Sequence, residues 1–447
     1  MSHHSPDVSG VDVAVAKQQT PLHYIASQQH PDQLPPPAST GVIGWFRENL
    51  FSSVSNSLLT VVSILFLIWV IPGFVDWAIV KSVWNAGSLS ECRELVKAAH
   101  GEGASGACWA VINERFDQLM YGFYPAELRW RPNVAILLLF AAIVPVLFKT
   151  MRPLVYAMGA VIVGKSIFAL YAAFAGIPFS FLSPTTYTAA VLAIGAAIMG
   201  GEDYRKRWVI LTFLFPVIAY FLLWGGFVFE PVESKRFGGF LLTMVIGVTG
   251  IAFSLPLGVL LALGRRSNLP ILQMICVTFI EFIRGVPLIT LLFVASVLLN
   301  YLMPPGTDFD LILRVLIMVT LFASAYMAEV VRGGLAALPK GQYEAADTLG
   351  LKYWQGMRLI ILPQALKISI PGIVNTFIGL FKDTTLVAII ALFDPVGLLN
   401  PIRADSNWNG IVWELYGFIA LVFFICCFGM SQYSQFLERR LRAADRR

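Results

Sequence analysis

The chain has 447 residues, of which 57% are hydrophobic and only 13% are charged. This composition excludes an ordinary soluble globular protein and indicates a membrane protein. The formal net charge of +5 is small for this length and gives no indication of a nucleic-acid partner. The five histidines all lie outside the apolar segments, which therefore offer no imidazole for a metal site or for acid–base chemistry.

Residues 1–45 are predicted to form a disordered cytoplasmic tail. They contain the run Pro35-Pro36-Pro37 and show no apolar periodicity. The first apolar segment begins beyond residue 50, which is too late in the chain for a cleaved signal peptide, and the segment is also too long for one. We therefore expect it to be a membrane span.

The apolar pattern predicts an all-α, polytopic membrane protein with about ten transmembrane helices, since one such helix needs about 20 mostly apolar residues. The candidates in the N-terminal extension, residues 46–236, are 55–78, 133–148, 154–176, 186–200 and 208–229. Those in the C-terminal part, residues 237–447, are 239–263, 272–302, 311–336, 369–392 and 411–431. The short, Ala- and Gly-rich segment 186–200 is the weakest of them.

Basic residues concentrate in alternate connections, which by the positive-inside rule places both termini in the cytoplasm. The short outer connections hold few basic residues, namely Lys235, Arg236 and Arg403. Omitting the span at 186–200 would place Lys149 and Arg152 outside, so we retain ten. The inner connections and the C-terminal tail contain Lys149, Arg152, Arg205, Lys206, Arg207, Arg265, Arg266, Lys340, Lys352, Arg358, Lys367, Arg439, Arg440, Arg442, Arg446 and Arg447.

The largest outer loop, residues 81–131, contains Cys92 and Cys108. In an oxidising periplasm this pair would form a disulfide, and two unpaired thiols are the alternative. Both outcomes remain open from the sequence. The other three cysteines fall inside predicted spans, where they are interpreted as small apolar packing residues.

Residues 159–166 formally match the phosphate-binding pattern G-x-x-x-x-G-K-S. The match lies in the middle of an apolar run of membrane-helix length and lacks a surrounding soluble α/β domain, so we interpret it as a coincidence. Lys165 remains notable, because a charge within a span is costly and usually faces the protein interior.

Ionisable residues recur within the C-terminal spans, and two of the pairs share the form E-x-x-R-G, which places acid and base on one helix face. One interpretation is ion pairing between helices, and the other is a translocation path that contacts the charged groups of an amino acid. Proline residues at 256, 287 and 371 are expected to break helical hydrogen bonding near such a path. The ionisable residues are Glu281, Arg284, Glu329, Arg332, Lys382 and Asp383.

Residues 343–366 form a polar insert in the otherwise apolar C-terminal half. Its alanines favour a helix, Gly350 allows a turn, and a second amphipathic helix is expected to run to Pro363. The order of Glu344-Ala345-Ala346, Gly350 and Leu362-Pro363 matches the EAA signature, and the whole loop covers residues 339–367. This signature resembles the cytoplasmic loop of permease subunits of bacterial ABC importers.

Further phrases resemble the branch of these permeases that transports polar amino acids. They include GGFLLT at 238–243, FIEFIRGVPLITLLF at 279–293 and FKDTTLVAIIALFD at 381–394. The long extension and the phrase GACWAVI at 106–112 are similar to permeases for general L-amino acids, which usually work with a sister subunit. Within the loop, the resemblance assigns ATPase coupling to Glu344, Ala345, Ala346, Gly350, Leu362 and Pro363.

The resemblance implies an ABC type I importer-like permease core at residues 237–447 and a non-catalytic, multi-pass subunit in the bacterial inner membrane. It also implies a cytoplasmic ABC ATPase dimer that binds ATP and Mg, a second permease subunit and a periplasmic amino acid-binding protein. No cofactor or metal is expected on this chain itself. A transporter driven by an ion gradient is the alternative, although it would have no use for an EAA loop. A membrane-embedded enzyme is disfavoured because the spans lack a nucleophile beside a base.

Overall fold

The computed structural model describes residues 41–445 except 149, 176–181, 199–201, 227, 299–300, 302–303 and 305–308. Lys149, Arg446 and Arg447 of the charge pattern, and the predicted tail up to residue 40, lie outside the described residues. The chain divides into two compact units, Met1–Asp76 and Trp77–Arg447.

The described residues form helices, with two isolated β-bridges in place of any extended sheet. The first four helices are α1 (Gly41–Asn49), α2 (Val54–Val75), α3 (Leu89–His100) and α4 (Ala110–Tyr121). A bundle in the extension comprises α5 (Trp130–Leu147), α6 (Arg152–Ala175), α7 (Pro184–Ile198) and α8 (Glu202–Trp224). The C-terminal part comprises α9 (Gly239–Arg265), α10 (Pro270–Gly285), α11 (Leu288–Phe293), α12 (Leu311–Ala336), α13 (Lys340–Thr348), α14 (Tyr353–Gly356), α15 (Leu362–Asp383), α16 (Leu399–Ala404) and α17 (Trp413–Asp445).

The first unit contains α1 and α2. Because α1 begins at Gly41, the predicted tail extends too far by five residues, 41–45, which are helical. Ser53 ends the connection and caps α2, since its hydroxyl accepts a hydrogen bond from the Asn56 N–H at 3.1 Å. The predicted first span at 55–78 therefore has a defined N-terminal boundary.

Seven helical segments among the described residues are long and apolar enough to cross a membrane, and an eighth is added if the bent pair α10–α11 is one span. Two shorter apolar helices, Pro184–Ile198 and Leu214–Trp224, lie where the fourth and fifth spans were predicted. The number ten is therefore reached only when the bent pair and both short helices are counted. The prediction of a polytopic helical membrane protein is confirmed.

The bundle α5–α8 has its own apolar core, to which Leu137, Met151, Leu154 and Leu192 contribute. The whole P-loop-like match lies inside α6, so its backbone N–H groups belong to a helix and form no phosphate-binding loop. Lys165 of α6 donates to three hydroxyls at the start of α7, which provides polar partners for this charge within the apolar bundle. The acceptors are Ser183 (2.5 Å), Thr185 (2.8 Å) and Thr186 (2.8 Å).

The outer loop at 81–131 is a folded subdomain built on α3 and α4. The sulfur atoms of Cys92 and Cys108 lie within bonding distance, and the Cα atoms are 6.0 Å apart. The subdomain packs on the connection before α17, where Trp408 is buried in a shared apolar cluster. Arg115 adds an ion pair of 2.5 Å with Asp405. This part of the extension is therefore joined directly to the C-terminal part.

Helices α9 and α12 pack closely in the centre of the C-terminal part. A Cβ placed on Gly258 would lie 2.6 Å from the Cβ of Met327, so only glycine permits this approach. The segment predicted as one span at 272–302 is broken, because α10 and α11 meet at an angle of 102° around Val286 and Pro287. Proline at 287 thus breaks a helix as expected, whereas those at 256 and 371 lie inside continuous helices.

Pro363 does not end the second helix of the EAA loop, contrary to the sequence prediction. It occupies the first turn of α15, where the missing N–H is tolerated. A π-helical turn, Met357–Ile361, connects α14 to α15, so a helical segment runs from Tyr353 to Ile390. The second helix of the loop is therefore continuous with a membrane span.

Candidate coupling loop and charged cluster

The first helix of the EAA loop, α13, ends in a glycine turn. Gly350 has φ of +67°, a conformation that residues with a Cβ rarely adopt. The Gly350 N–H donates to Asp347 O at 2.9 Å and the Leu351 N–H donates to Ala346 O at 3.2 Å. These two bonds are the Schellman pattern, which satisfies carbonyls at a helix end. The turn predicted at Gly350 is confirmed.

The two alanines of the EAA signature face different environments. Ala346 is only 4% exposed, and its Cβ lies 3.4 Å from the position of a Cβ placed on Gly356. Ala345 and the preceding Glu344 are exposed. Ala346 therefore holds the two helices of the loop together, while Ala345 and Glu344 are available to another protein.

Large apolar side chains are exposed on the loop. They are Leu349 (72% exposed), Tyr353 (54%), Trp354 (66%) and Leu359 (66%). Tyr353 and Trp354 contact each other edge to face, with ring centroids 5.3 Å apart. An apolar patch on a polar connection is typical of a surface that binds another protein.

Polar contacts attach the loop to the ends of the spans. Arg266, just after α9, donates to the Tyr343 hydroxyl at 3.1 Å and lies over the Tyr343 ring at 5.5 Å. The Tyr343 hydroxyl donates to Leu335 O of α12 at 3.2 Å. Gln364 of α15 donates to the Gln342 side chain at 2.9 Å. Movement of α13 would therefore act on α9, α12 and α15.

The two E-x-x-R-G pairs converge on one charged cluster. Glu329 of α12, whose side chain is 17% exposed, accepts hydrogen bonds from Arg265 at 2.8 Å and from Arg332 at 2.9 Å. Arg265 also donates to Glu281 at 2.8 Å, and Arg284 lies 3.8 Å from Glu329. The cluster joins the ends of α9, α10 and α12. Three arginines and two glutamates leave it with one net positive charge.

Lys382 and Asp383 are not part of this cluster. They lie at the end of α15 that is remote from the loop, and within the described part of the chain no ion pair connects them to Glu329. The structure therefore brings together four of the six predicted path residues.

The sequence interpretation assigned Arg265 and Arg266 to topology alone, and it gave no role to Tyr343, Gln342 or Gln364. Each forms its contact with a residue on another element, at a separation of up to 77 residues for Arg266 and Tyr343. For Arg265 the sequence did offer a signal of contact with other helices, because the residue directly follows the apolar run 255–264. Among the described residues, no group of three or more His, Cys, Asp or Glu side chains could hold a metal ion.

Comparisons with known proteins identify the family to which the chain belongs. Residues 254–443 match the family model described as binding-protein-dependent transport system inner membrane component. The chain is 50% identical over 442 residues to the glutamate/glutamine/aspartate/asparagine transport system permease protein BztC of Rhodobacter capsulatus, with 92% of this chain and 96% of that protein covered. It is 43% identical over 414 residues to the inner membrane amino-acid ABC transporter permease protein YhdY of Escherichia coli, again with 92% and 96% covered.

A solved structure, described as an amino acid ABC transporter with histidines, contains a chain that is 28% identical and covers 45% of this chain and 91% of its own length, with a TM-score of 0.41.

The helical fold and the EAA loop define a membrane-spanning permease subunit of a binding-protein-dependent importer. The chain belongs to the family of amino-acid ABC transporter permeases. It is a multi-pass protein of the inner membrane and a subunit of an ABC transport system. Family membership sets aside the alternative of a carrier driven by an ion gradient.

Proposed function

We propose that the chain forms the membrane path of an ATP-driven importer for glutamate, glutamine, aspartate and asparagine. The similarity to BztC carries this proposal, because it extends over the N-terminal extension as well as the permease core. The name of that relative gives these four amino acids for its transport system. They share an α-ammonium and an α-carboxylate and differ only in a short acidic or amide side chain.

The charged cluster supports a substrate that carries a carboxylate, either the α-carboxylate or one on the side chain. Its net positive charge attracts an anionic group, and guanidinium groups bind carboxylates with well-defined geometry. The side chains of Arg284 and Arg332 are 34% and 43% exposed, so their donors remain accessible. Within this proposal, Glu281, Arg284, Glu329 and Arg332 line the inner part of the path. Lys382 and Asp383 contribute at a separate level along α15.

The exposed patch on the EAA loop supports an ATPase partner. A cytoplasmic ABC ATPase dimer would bind Leu349, Tyr353, Trp354 and the exposed face of Glu344 and Ala345. That partner would bind ATP and Mg, and this chain would bind no cofactor. Because α14 continues into α15 through the π-helical turn, a displacement of the docked loop would move a membrane span directly.

Two further partners complete the proposed transport complex. A periplasmic binding protein would deliver the amino acid to the outer face. A second permease subunit, different from this one, would form the other half of the path in a heterodimer.

The test is uptake of radiolabelled amino acids by proteoliposomes that contain the reconstituted complex, with ATP and an ionophore varied separately. The proposal predicts uptake of glutamate and glutamine that requires ATP hydrolysis and persists when the ionophore removes ion gradients. A non-hydrolysable ATP analogue is the matched control. Uptake that disappears with the ionophore while ATP is present would refute the ATP-driven mechanism.

A further inference from the structure

A cavity of about 340 Å³ lies at the outer face of the chain, between α3 and the residues that lead into α17. Its volume is at the lower end of the roughly 300–1,000 Å³ of ligand pockets, which suits a small molecule. Leu89, Val96 and Ile411 contribute apolar walls. None of the residues of the charged cluster or of the EAA loop lines it.

Glu414 places a buried carboxylate in this cavity. The residue is 7% exposed and lies in the first turn of α17. Its Oε1 atom accepts a hydrogen bond of 2.9 Å from the Cys108 N–H. A carboxylate has capacity for about four hydrogen bonds, and burying its charge is costly unless cationic or polar groups compensate. An ammonium group bound inside the cavity would supply both hydrogen bonds and opposite charge.

Two basic residues line the same cavity from the other side. Arg93 and Lys97 are four residues apart on α3, so they project from one helix face. Both are exposed. The cavity therefore combines a buried anion with two accessible cations, whereas its remaining walls are largely apolar.

We propose that this cavity binds a small ligand that carries both a primary ammonium group and an anionic oxygen group. The ammonium group hydrogen-bonds to Glu414, and the anionic group binds Arg93 and Lys97. Bound in this way, the ligand joins α3 of the extension to the first turn of α17 in the permease core.

Two sources supply this chemistry at the outer face. A free amino acid carries an ammonium and a carboxylate, and a phosphatidylethanolamine headgroup carries an ammonium and a phosphate. The aromatic residues Trp77 and Trp413 also line the cavity, and tryptophan is typical of the membrane interface, where a headgroup is within reach. Both sources offer an ammonium and an anionic oxygen group, and the two arms of the experiment distinguish them.

The experiment uses the purified full-length chain in phosphatidylcholine nanodiscs without ATP or partner proteins, so its result is independent of transport. In one arm, binding of labelled L-glutamate and L-glutamine is measured by equilibrium dialysis. In the other, the discs contain a small fraction of phosphatidylethanolamine, and its retention by the protein after detergent extraction is measured by mass spectrometry. Phosphatidylcholine is a suitable background because its quaternary ammonium has no N–H to donate.

Three variants locate the binding. Glu414→Gln keeps the acceptor for the Cys108 N–H but removes the charge, and it is expected to weaken binding about tenfold or more. The double change Arg93→Gln with Lys97→Gln alters only exposed side chains and is expected to weaken it similarly. Glu94→Gln is the matched control, since Glu94 is an exposed charge on α3 that does not line the cavity. It should bind as the wild type does.

Binding in either arm that both cavity variants weaken supports the inference and identifies the source. Absence of binding in both arms would overturn it, and Glu414 would then serve only to join the first turn of α17 to the Cys108 N–H. Binding that survives both cavity variants but is lost in Glu329→Gln belongs to the transport path and also counts against the inference. If Glu414→Gln fails to fold, the double variant decides the question alone.

Discussion

Arg265 and Glu329 are 64 residues apart in sequence, and the Arg265 guanidinium donates a hydrogen bond of 2.8 Å to the Glu329 carboxylate. The same Arg265 nitrogen, Nη1, donates to Glu281 at 2.8 Å. The Glu329 carboxylate also accepts from Arg332, so it is shared by two arginines on different helices. This contact joins the end of α9, which leads to one inner connection, to the end of α12, which leads to the EAA loop.

Replacing Glu329 with Gln is expected to destabilise the chain by about 1–3 kcal/mol, because charge-assisted hydrogen bonds are lost and Arg265, Arg284 and Arg332 are left without their shared carboxylate. Thermal unfolding in detergent, the yield of assembled complex and uptake are the measurements. Glu281→Gln is the matched control. The Glu281 side chain is 53% exposed, so its loss should cost less than about 1 kcal/mol.

The same pair of variants separates the two interpretations of the cluster. A residue that only pairs helices should reduce the amount of assembled complex. A residue that lines the path should change substrate preference or apparent affinity in complex that still assembles. A Glu329→Gln chain with wild-type stability, assembly and uptake would contradict both interpretations.

The sequence predicted the members of this cluster in part, because E-x-x-R-G places acid and base on one face of each helix. It did not predict that Arg265 connects the two pairs, since that contact depends on how α9, α10 and α12 pack. Lys382 and Asp383 look equivalent to the other path residues in sequence, but the structure places them apart. Helical periodicity describes a single helix and contains no information on which helices are neighbours.

Asp394 is expected to make stability depend on pH. It lies beyond the apolar helical segment that ends at Ile390, and burial raises the pKa of its carboxyl from 3.8 to about 6, although the N–H groups of Gly397 and Val396 act to lower it. The folded state therefore binds the proton more tightly than the unfolded state. The protonated Asp394 carboxyl therefore stabilises the folded state. This contribution is fully present below about pH 4 and is lost as the pH rises through about 6.

The total change over that window is roughly 3 kcal/mol, since one pKa unit corresponds to about 1.4 kcal/mol. Asp394→Asn removes the titrating group and keeps an acceptor, so its Tm should fall less between pH 5 and pH 7 than that of the wild type. Thermal unfolding at both pH values measures this. An equal fall in Tm in both proteins would show that Asp394 does not contribute to the pH dependence of stability.

Cys92 and Cys108 are expected to be joined by a disulfide in the mature protein. Digestion without reductant should yield one linked peptide by mass spectrometry. For a loop of this length the bond is expected to stabilise by about 3 kcal/mol, so reduction should lower the Tm of the wild type. The double variant Cys92→Ser with Cys108→Ser should not respond to reductant, and Cys427→Ser, which leaves the pair intact, should respond as the wild type does. Recovery of both residues as free thiols from oxidising conditions would exclude the bond.

A cysteine at position 345 is expected to crosslink to the partner ATPase, because Ala345 is exposed beside Glu344 on α13. Position 346 is a poor probe, since Ala346 packs against Gly356 and a larger side chain would separate the two helices of the loop. Asn268→Cys, an exposed position on another inner connection, is the matched control and should crosslink weakly or not at all. Equal crosslinking from 345 and 268, measured on gels after mild oxidation, would argue against a specific docking surface.

The loop was predicted well where local chemistry determines the structure. A glycine after an alanine-containing helix indicates a turn, and the hydrogen bonds at Gly350 confirm it. The role of Pro363 was predicted wrongly, because proline signals a helix end as readily as a helix start. The π-helical turn before it, which makes the loop continuous with α15, depends on packing of Met357 and Ile361 in the core and has no simple sequence signal. The break at Pro287 was expected, but 272–302 was still predicted as one span, since the apolar pattern continues from 288 to 298 apart from two hydroxyl residues.

The EAA loop is expected to transmit ATP-driven movement to the spans. The most direct measurement of this coupling is the ratio of ATP hydrolysed to glutamate taken up by proteoliposomes that contain the Gly350→Val complex. The open space around Gly350 means that the variant is opposed only by its φ of +67°, so insertion of the chain should be preserved. Gly341→Val, at a glycine of α13 that is also free of close contacts and lacks a positive φ, is the control. We predict that Gly350→Val raises the ratio several-fold or releases the ATPase, while the control changes it little. A wild-type ratio in Gly350→Val with the ATPase still bound would contradict the claim.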